Sequence, residues 1–233
     1  MPDSRRISRR LAALGLVAGP VLLLVDALMD PAWSSNDAVY LAEVAHNKTT
    51  NIVSESIATA GALVLVAGAL GIMRLMRGPR LTLGQVAAAI LTIGLIGLTA
   101  SLAFNAFDIA MADFSDRRAM IAFHHDLEHS AAYNLYWIVF FYCGVVLGSL
   151  LVAIALLRRP IVPRWSPALL IAAVGLWSIE GGRQALNALS LALLTIALLP
   201  LGARIWSLSD DEWEQWVVPL DATPRPAAGR RSR

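Results

Sequence analysis

The stretch FHHDLEHSAAYNLYW, residues 123–137, holds three of the four histidines in the chain, two carboxylates and then a run of aromatics. His125 and His129 are four residues apart, so a helix brings both imidazoles to one face. With Glu128 beside them, and His124 and Asp108 nearby, they offer ligands for a divalent metal, because imidazole and carboxylate together suit zinc and similar ions. A divalent metal is the one cofactor for which the sequence offers a site. The pattern is not HExxH, because Asp126 follows His125. A plain solvated helix start accounts for the same residues, with Asp126 and Glu128 offsetting the positive end of the helix dipole.

A second group draws attention by its location. Asp26 and Glu180 lie within or at the end of apolar runs, and Arg183 and Asn187 follow Glu180 closely. A charged side chain in a bilayer core costs at least about 2.5 kcal/mol unless it is paired or wetted. One reading is an intramembrane ion pair that fixes helix packing. The other makes Glu180, Asp26 and Glu55 candidate catalytic acids that protonate a bound substrate, with Arg183, Asn187, Asn105, Asp108 and Asn134 as ligand-binding groups. Asn105 and Asp108 lie in FNAFDIAMAD, whose spacing is not that of the aspartate-rich prenyltransferase motifs. No GxSxG elbow, P-loop or dinucleotide fingerprint occurs.

The elements that must position these groups are helices in a membrane. Hydrophobic residues make up 57% of the chain and charged residues 15%, against about 25% charged in soluble domains. Mean hydropathy is +0.62. Six apolar segments, near 11–29, 52–76, 83–107, 133–157, 167–179 and 185–205, are separated by short polar joints. The fold class expected is all-α, a polytopic transmembrane bundle of six spans. The fifth segment is short, and Gly181 and Gly182 are expected to turn it tightly into the sixth.

Lys and Arg set the orientation. Placing both termini inside puts fifteen of them in inner joints and leaves Lys48, Arg117, Arg118 and Arg183 outside, as the positive-inside rule requires. The first segment, preceded by basic residues, is read as a retained helix and not as a secretion signal. The organisation expected is a basic cytoplasmic segment 1–10, a transmembrane domain 11–206 and a cytoplasmic tail 207–233. Within the domain, 30–51 form an outer amphipathic loop capped near Ser35 or Asn36, and 108–132 form an outer polar segment. In the tail, Ser209 can cap a short helix carrying Trp213 and Trp216 at the inner interface. One cysteine excludes internal disulfides and CxxC sites. No basic patch with interleaved aromatics points to nucleic acid.

RLAALGLVAGPVLLL and YNLYWIVFFYCGVVLGSLLVAIALLRRPIVPRWSPALLIAAVG resemble an uncharacterised bacterial family of small six-helix integral membrane proteins, over roughly residues 9–205. The joint between the fourth and fifth segments carries the likeness most specifically. The resemblance implies the fold and transfers no functional residues.

Depth follows from a rise of 1.5 Å per residue through a core of about 30 Å. His129 lies 29 residues from Arg158, about 43 Å out and beyond the outer headgroups. Asp26, 16 residues from Arg10, lies about 24 Å in. Glu180 and Asp26 are therefore the costly residues. All the polar groups fall in the outer half, which implies a polar pocket opening outward. Its expected walls are the first, second, third and fifth segments, beneath the start of the fourth.

The function expected is a multi-pass plasma-membrane protein whose pocket binds a small amphipathic or lipidic molecule, with membrane lipids as partners. Two alternatives stand beside it. One is an enzyme, either an acid-catalysed isoprenoid cyclase or a metal hydrolase using His125 and His129. The other is an accessory, sensor or immunity protein that meets a protein partner or a second copy through the SDDEWEQW segment.

Overall fold

The computed structural model describes residues 2–34, 36–77, 82–158, 161–179 and 183–214. Within them the chain is all helical. The elements are α1 (Pro2–Met29), α2 (Asp37–His46), α3 (Lys48–Leu75), α4 (Thr82–Ala112), α5 (Arg117–Glu128), α6 (Ala131–Arg158), α7 (Trp165–Trp177), α8 (Gln184–Ser207) and α9 (Asp210–Glu214).

Five helices, α1, α3, α4, α6 and α8, are long and apolar enough to cross a membrane. At 24 to 31 residues each exceeds the roughly 20 needed to span the hydrocarbon. The fifth apolar segment forms α7, which has only 13 residues, or about 20 Å of helix. The structure is thus an all-α bundle with five candidate spans and one shorter apolar helix, and the protein is a multi-pass membrane protein. Large apolar side chains stand on the outside of the bundle, among them Leu14, Leu63, Ile93, Ile96, Leu147 and Ile196. Hydroxyls on these helices are satisfied within their own turn: Thr92, Thr99 and Thr195 donate to Ala88, Leu95 and Leu191 carbonyls. That is the condition for polar side chains beside lipid.

The six apolar helices close into a ring. In order around it, α1 packs on α3, α3 on α4, α4 on α6, α6 on α7, α7 on α8, and α8 returns to α1. Glycines set the closest approaches. A Cβ on Gly15 would meet the Val64 carbonyl oxygen at 2.6 Å and the Gly68 nitrogen at 2.7 Å, so α1 and α3 touch backbone to backbone. Gly94 and Gly144 do the same for α4 and α6, with 2.4 Å from a Gly94 Cβ to the Gly144 carbonyl carbon.

α6 contains ten residues, Trp137–Val146, wound as a π-helix, where a single turn is the usual extent. One row of this stretch faces α4: the Phe140 ring covers Gly97, and the Tyr136 hydroxyl donates to the Gly97 carbonyl. The next row, Trp137 and Phe141, faces the ring interior.

At one end of the ring, basic residues tie the C-terminal segment to α1. Arg9 donates to the Trp206 carbonyl at 3.1 Å and pairs with Asp210 at 3.0 Å, and Arg5 pairs with Glu214. Ser209 and Glu212 cap one another reciprocally at 2.7 and 3.2 Å. Trp213 is buried, with its indole donating to Ser8 and the Arg74 guanidinium over its ring. The part of SDDEWEQW that is described therefore packs on its own chain; Trp216 lies outside the described residues.

At the opposite end, α2 and α5 form a cap. Asn36 accepts from the Ala38 and Val39 amides and starts α2; Ser35 lies outside the described residues. α2 buries Leu41 and Val44 and packs on α4, α5 and α3. It is thus held by protein contacts as well as by its amphipathic pattern.

Candidate functional site

The centre of the ring divides in two. Toward the basic end it is packed with Leu16, Leu65, Ile72, Leu95, Val152 and Leu198. Toward the α2/α5 end it opens into a cavity of about 650 Å³, within the range of small-molecule sites. All six ring helices or their ends contribute to its wall.

Most of the candidate catalytic and ligand-binding groups meet there. Asp26, Glu55, Asn105, Asn134 and Asn187 all line this cavity. The fourth and sixth apolar segments supply walls as well: Trp137 and Phe141 come from α6, and Asn187 and Leu191 from α8. Wall residues with polar groups that are not among the sequence candidates include Asp30, Trp33, Tyr142 and Ser178. The spacing of Asp30 is a usable signal, because it stands four residues beyond Asp26 and so shares its side of the chain.

Neighbours hold each carboxylate by one oxygen. Ser54, fully buried, donates to Asp26 Oδ1 at 2.6 Å. Asn105 donates to Glu55 Oε2 at 2.8 Å. The Ala32 amide and Asn51 donate to Asp30 Oδ1 at 3.0 and 3.3 Å. Burial pushes the Asp30 carboxyl above the usual carboxylate range, against the pull of these two donors. Gln184 fixes the same corner by donating to the Ala27 and Asp30 carbonyls at 2.9 and 3.1 Å.

Of the residues expected to form an intramembrane ion pair, Asp26 and Arg183 are described and Glu180 is not. Among the described residues Asp26 pairs with no cation, and Arg183 stands exposed before α8, outside the cavity wall. Glu180, with Gly181 and Gly182, lies outside the described residues.

The histidines separate. His125 and His129 stack on one another with ring centroids 4.1 Å apart, and His129 Nδ1 lies 2.8 Å from the His125 carbonyl oxygen. His125 is exposed and pairs with Asp37 at 3.0 Å. The buried imidazole is that of His124, which is 5% exposed. Its Nδ1 lies 3.4 Å from Asp37, and its Nε2 lies 3.7 Å from Asp108 and 4.0 Å from Glu128. Tyr40 stacks on the ring at 5.5 Å and donates to Asp108 at 3.0 Å. Burial and the nearby Asp108 and Glu55 charges push the Tyr40 hydroxyl far up, so it remains a donor. Among the described residues, ligand atoms of Asp37, His124 and Glu128 lie within 4.8 Å of one another. Asp108 therefore belongs to this cluster and not to the central cavity. His124 and Glu128 are themselves an i, i+4 pair, a signal as readable as the His125/His129 pair.

A second cavity, of about 420 Å³, runs from this cluster between α4, α5 and α6. Its walls include Phe104, Phe107 and Phe123, which also stand exposed on the outside of the bundle.

No known protein family, curated protein or solved structure matches the chain. The likeness to an uncharacterised membrane family rests on the sequence stretches alone.

Proposed function

We propose that this protein is a six-span plasma-membrane protein, with both termini cytoplasmic, that binds a small amphipathic molecule in its central cavity. The single observation carrying this reading is the 650 Å³ space ringed by all six apolar helices, polar at one end and apolar below. A polar headgroup would sit among Asp26, Glu55, Asn105 and Asn187, with its apolar part against Leu98, Leu102, Phe141 and Trp177. The charge bias of the joints supports the orientation. The partners that follow are membrane lipids and a small hydrophobic ligand.

Native mass spectrometry of the intact protein released from detergent tests this. Wild type should retain a bound species of a few hundred daltons that Leu102→Trp, which fills the cavity, loses while folding normally. Retention of the same species by the filled variant would refute the reading.

A second reading is supported by the buried His124 among Asp37, Asp108 and Glu128: a divalent metal held by Asp37, His124 and Glu128, in place of the His125/His129 pair. The donor set of one imidazole and carboxylates suits zinc or manganese. With no Lys or Arg paired to Asp37, Asp108 or Glu128 among the described residues, a dication would balance the clustered acids. Metal analysis after dialysis against zinc should give one equivalent in wild type and none in His124→Ala. His129→Ala should keep its metal; loss in that variant instead would return the site to the HxxxH pair.

A further inference from the structure

Hydrogen-bonding capacity in the central cavity is lopsided. The Ser54 hydroxyl and the Asn51 and Asn105 amides are spent on Asp26, Asp30 and Glu55, each through one carboxylate oxygen. The second oxygen of each carboxylate accepts no hydrogen bond among the described residues. Asn134 spends its amide donor on the Glu128 and Ser130 carbonyls, and the Ser178 hydroxyl donates to Val174. What remains on the three carboxylates is acceptor, while Trp33 Nε1 on the same wall is a buried donor without a partner among the described residues.

Asn187 also lines the cavity at 8% exposure; its Oδ1 is sealed from that space, so the amide end it can offer there is Nδ2, which has no hydrogen-bond partner among the described residues. The described wall contains three acids and no Lys, Arg or His. The rest of the wall is rich in aromatic rings: Trp33, Trp137, Phe141, Tyr142 and Trp177. Trp137 and Trp177 each meet Phe141 edge-on, with centroids 5.3 and 5.2 Å apart. Ring faces attract cations, and most strongly where water is excluded.

The geometry points to an amphipathic organic cation, an amine or quaternary ammonium with an apolar body, as the ligand of this cavity. The assignment rests on the proposed binding role and specifies the class of molecule bound. The cationic head balances Asp26, Asp30 and Glu55, whose free oxygens accept from any N–H it carries. The body lies among Leu98, Leu102, Phe141 and Trp177. An inorganic cation would use the acids and leave the aromatic wall without a role.

The test uses the full chain in detergent micelles and three matched probes: a phenylbutyl trimethylammonium ion, its uncharged tert-butyl isostere and the corresponding carboxylate. Binding is read by tryptophan fluorescence and by the shift in thermal unfolding. The cation should bind at least tenfold more tightly than the isostere, and the carboxylate should not bind. Glu55→Gln and Asp26→Asn should each weaken the cation about tenfold and leave the isostere unchanged. Two independent positions guard against one variant failing to fold. Equal binding of cation and isostere, or cation binding indifferent to both substitutions, overturns the cation assignment and leaves the amphiphile pocket standing. Binding of none of the probes by folded protein overturns both.

Discussion

Ser54 Oγ donates to Asp26 Oδ1 at 2.6 Å, joining α3 to α1 where both helices enter the cavity wall. The hydroxyl is fully buried, and it also lies 3.2 Å from the Asp26 carbonyl oxygen. Ser54→Ala strands a buried carboxylate oxygen, so it should cost about 1–3 kcal/mol. Asp26→Asn keeps a partner for the hydroxyl and should cost less. Unfolding in mixed micelles ranks the two variants, and the reverse order would deny Ser54 this role.

Gly94 and Gly144 hold α4 against α6 at backbone contact. A methyl on either must separate the helices, because the clashing atoms are backbone and cannot rotate away. Gly144→Ala should destabilise by roughly 1–3 kcal/mol or more. Gly175, with nothing within 4 Å of its would-be Cβ, is the control: Gly175→Ala should be neutral or slightly stabilising, since alanine favours helix. Equal melting temperatures for the two variants would contradict the close crossing.

Asp30 holds its proton more tightly folded than unfolded, because burial outweighs its donors from Ala32 and Asn51. Its contribution to stability is therefore full at low pH and is lost as pH rises through the folded value. Asp30→Asn imitates the protonated carboxyl. The variant should match wild type in acid and exceed it in thermal stability toward neutral pH. A gap that opened toward acid instead would reverse the sign assigned to burial.

Orientation can be read with single cysteines in a Cys143→Ser background. Phe114 and Ser207 are both exposed, one between α4 and α5 and the other at the end of α8. A membrane-impermeant maleimide should label Phe114→Cys in intact cells and Ser207→Cys only after permeabilisation. The opposite pattern would invert the topology.

Asp26, Glu55, Asn105, Asn134 and Asn187, candidates on separate segments, share one cavity wall because helix rise is fixed and spans alternate in direction. Level along a helix axis is legible without knowing which helices are neighbours. Asp108 is a candidate both among the ligand-binding groups and beside the histidines, and its side chain turns outward to Tyr40 and His124. Rotation about a helix axis depends on packing partners, and α4 is apolar on nearly every face, so its sequence does not mark an inward side. The grouping of the histidines depends on packing in the same way. Periodicity groups His125 with His129 and equally His124 with Glu128. The choice is made by α2, which packs on α5 and brings Asp37 to His124. That contact joins residues far apart in sequence and leaves no local trace. Arg183 stands exposed before α8, and Glu180, its expected partner, lies outside the described residues.

The 13 residues of α7 have a consequence for the surrounding lipid. A helix about 10 Å shorter than the hydrocarbon thickness makes the bilayer thin beside it, or draws headgroups and water inward. On the proposed six-span reading, α7 ends at Trp177 on the cavity wall, so the dent falls on the flank of the proposed binding space. An amphiphile resting in the leaflet on that side would then meet the cavity with its polar end already at the right level, and could slide in sideways without first leaving the membrane.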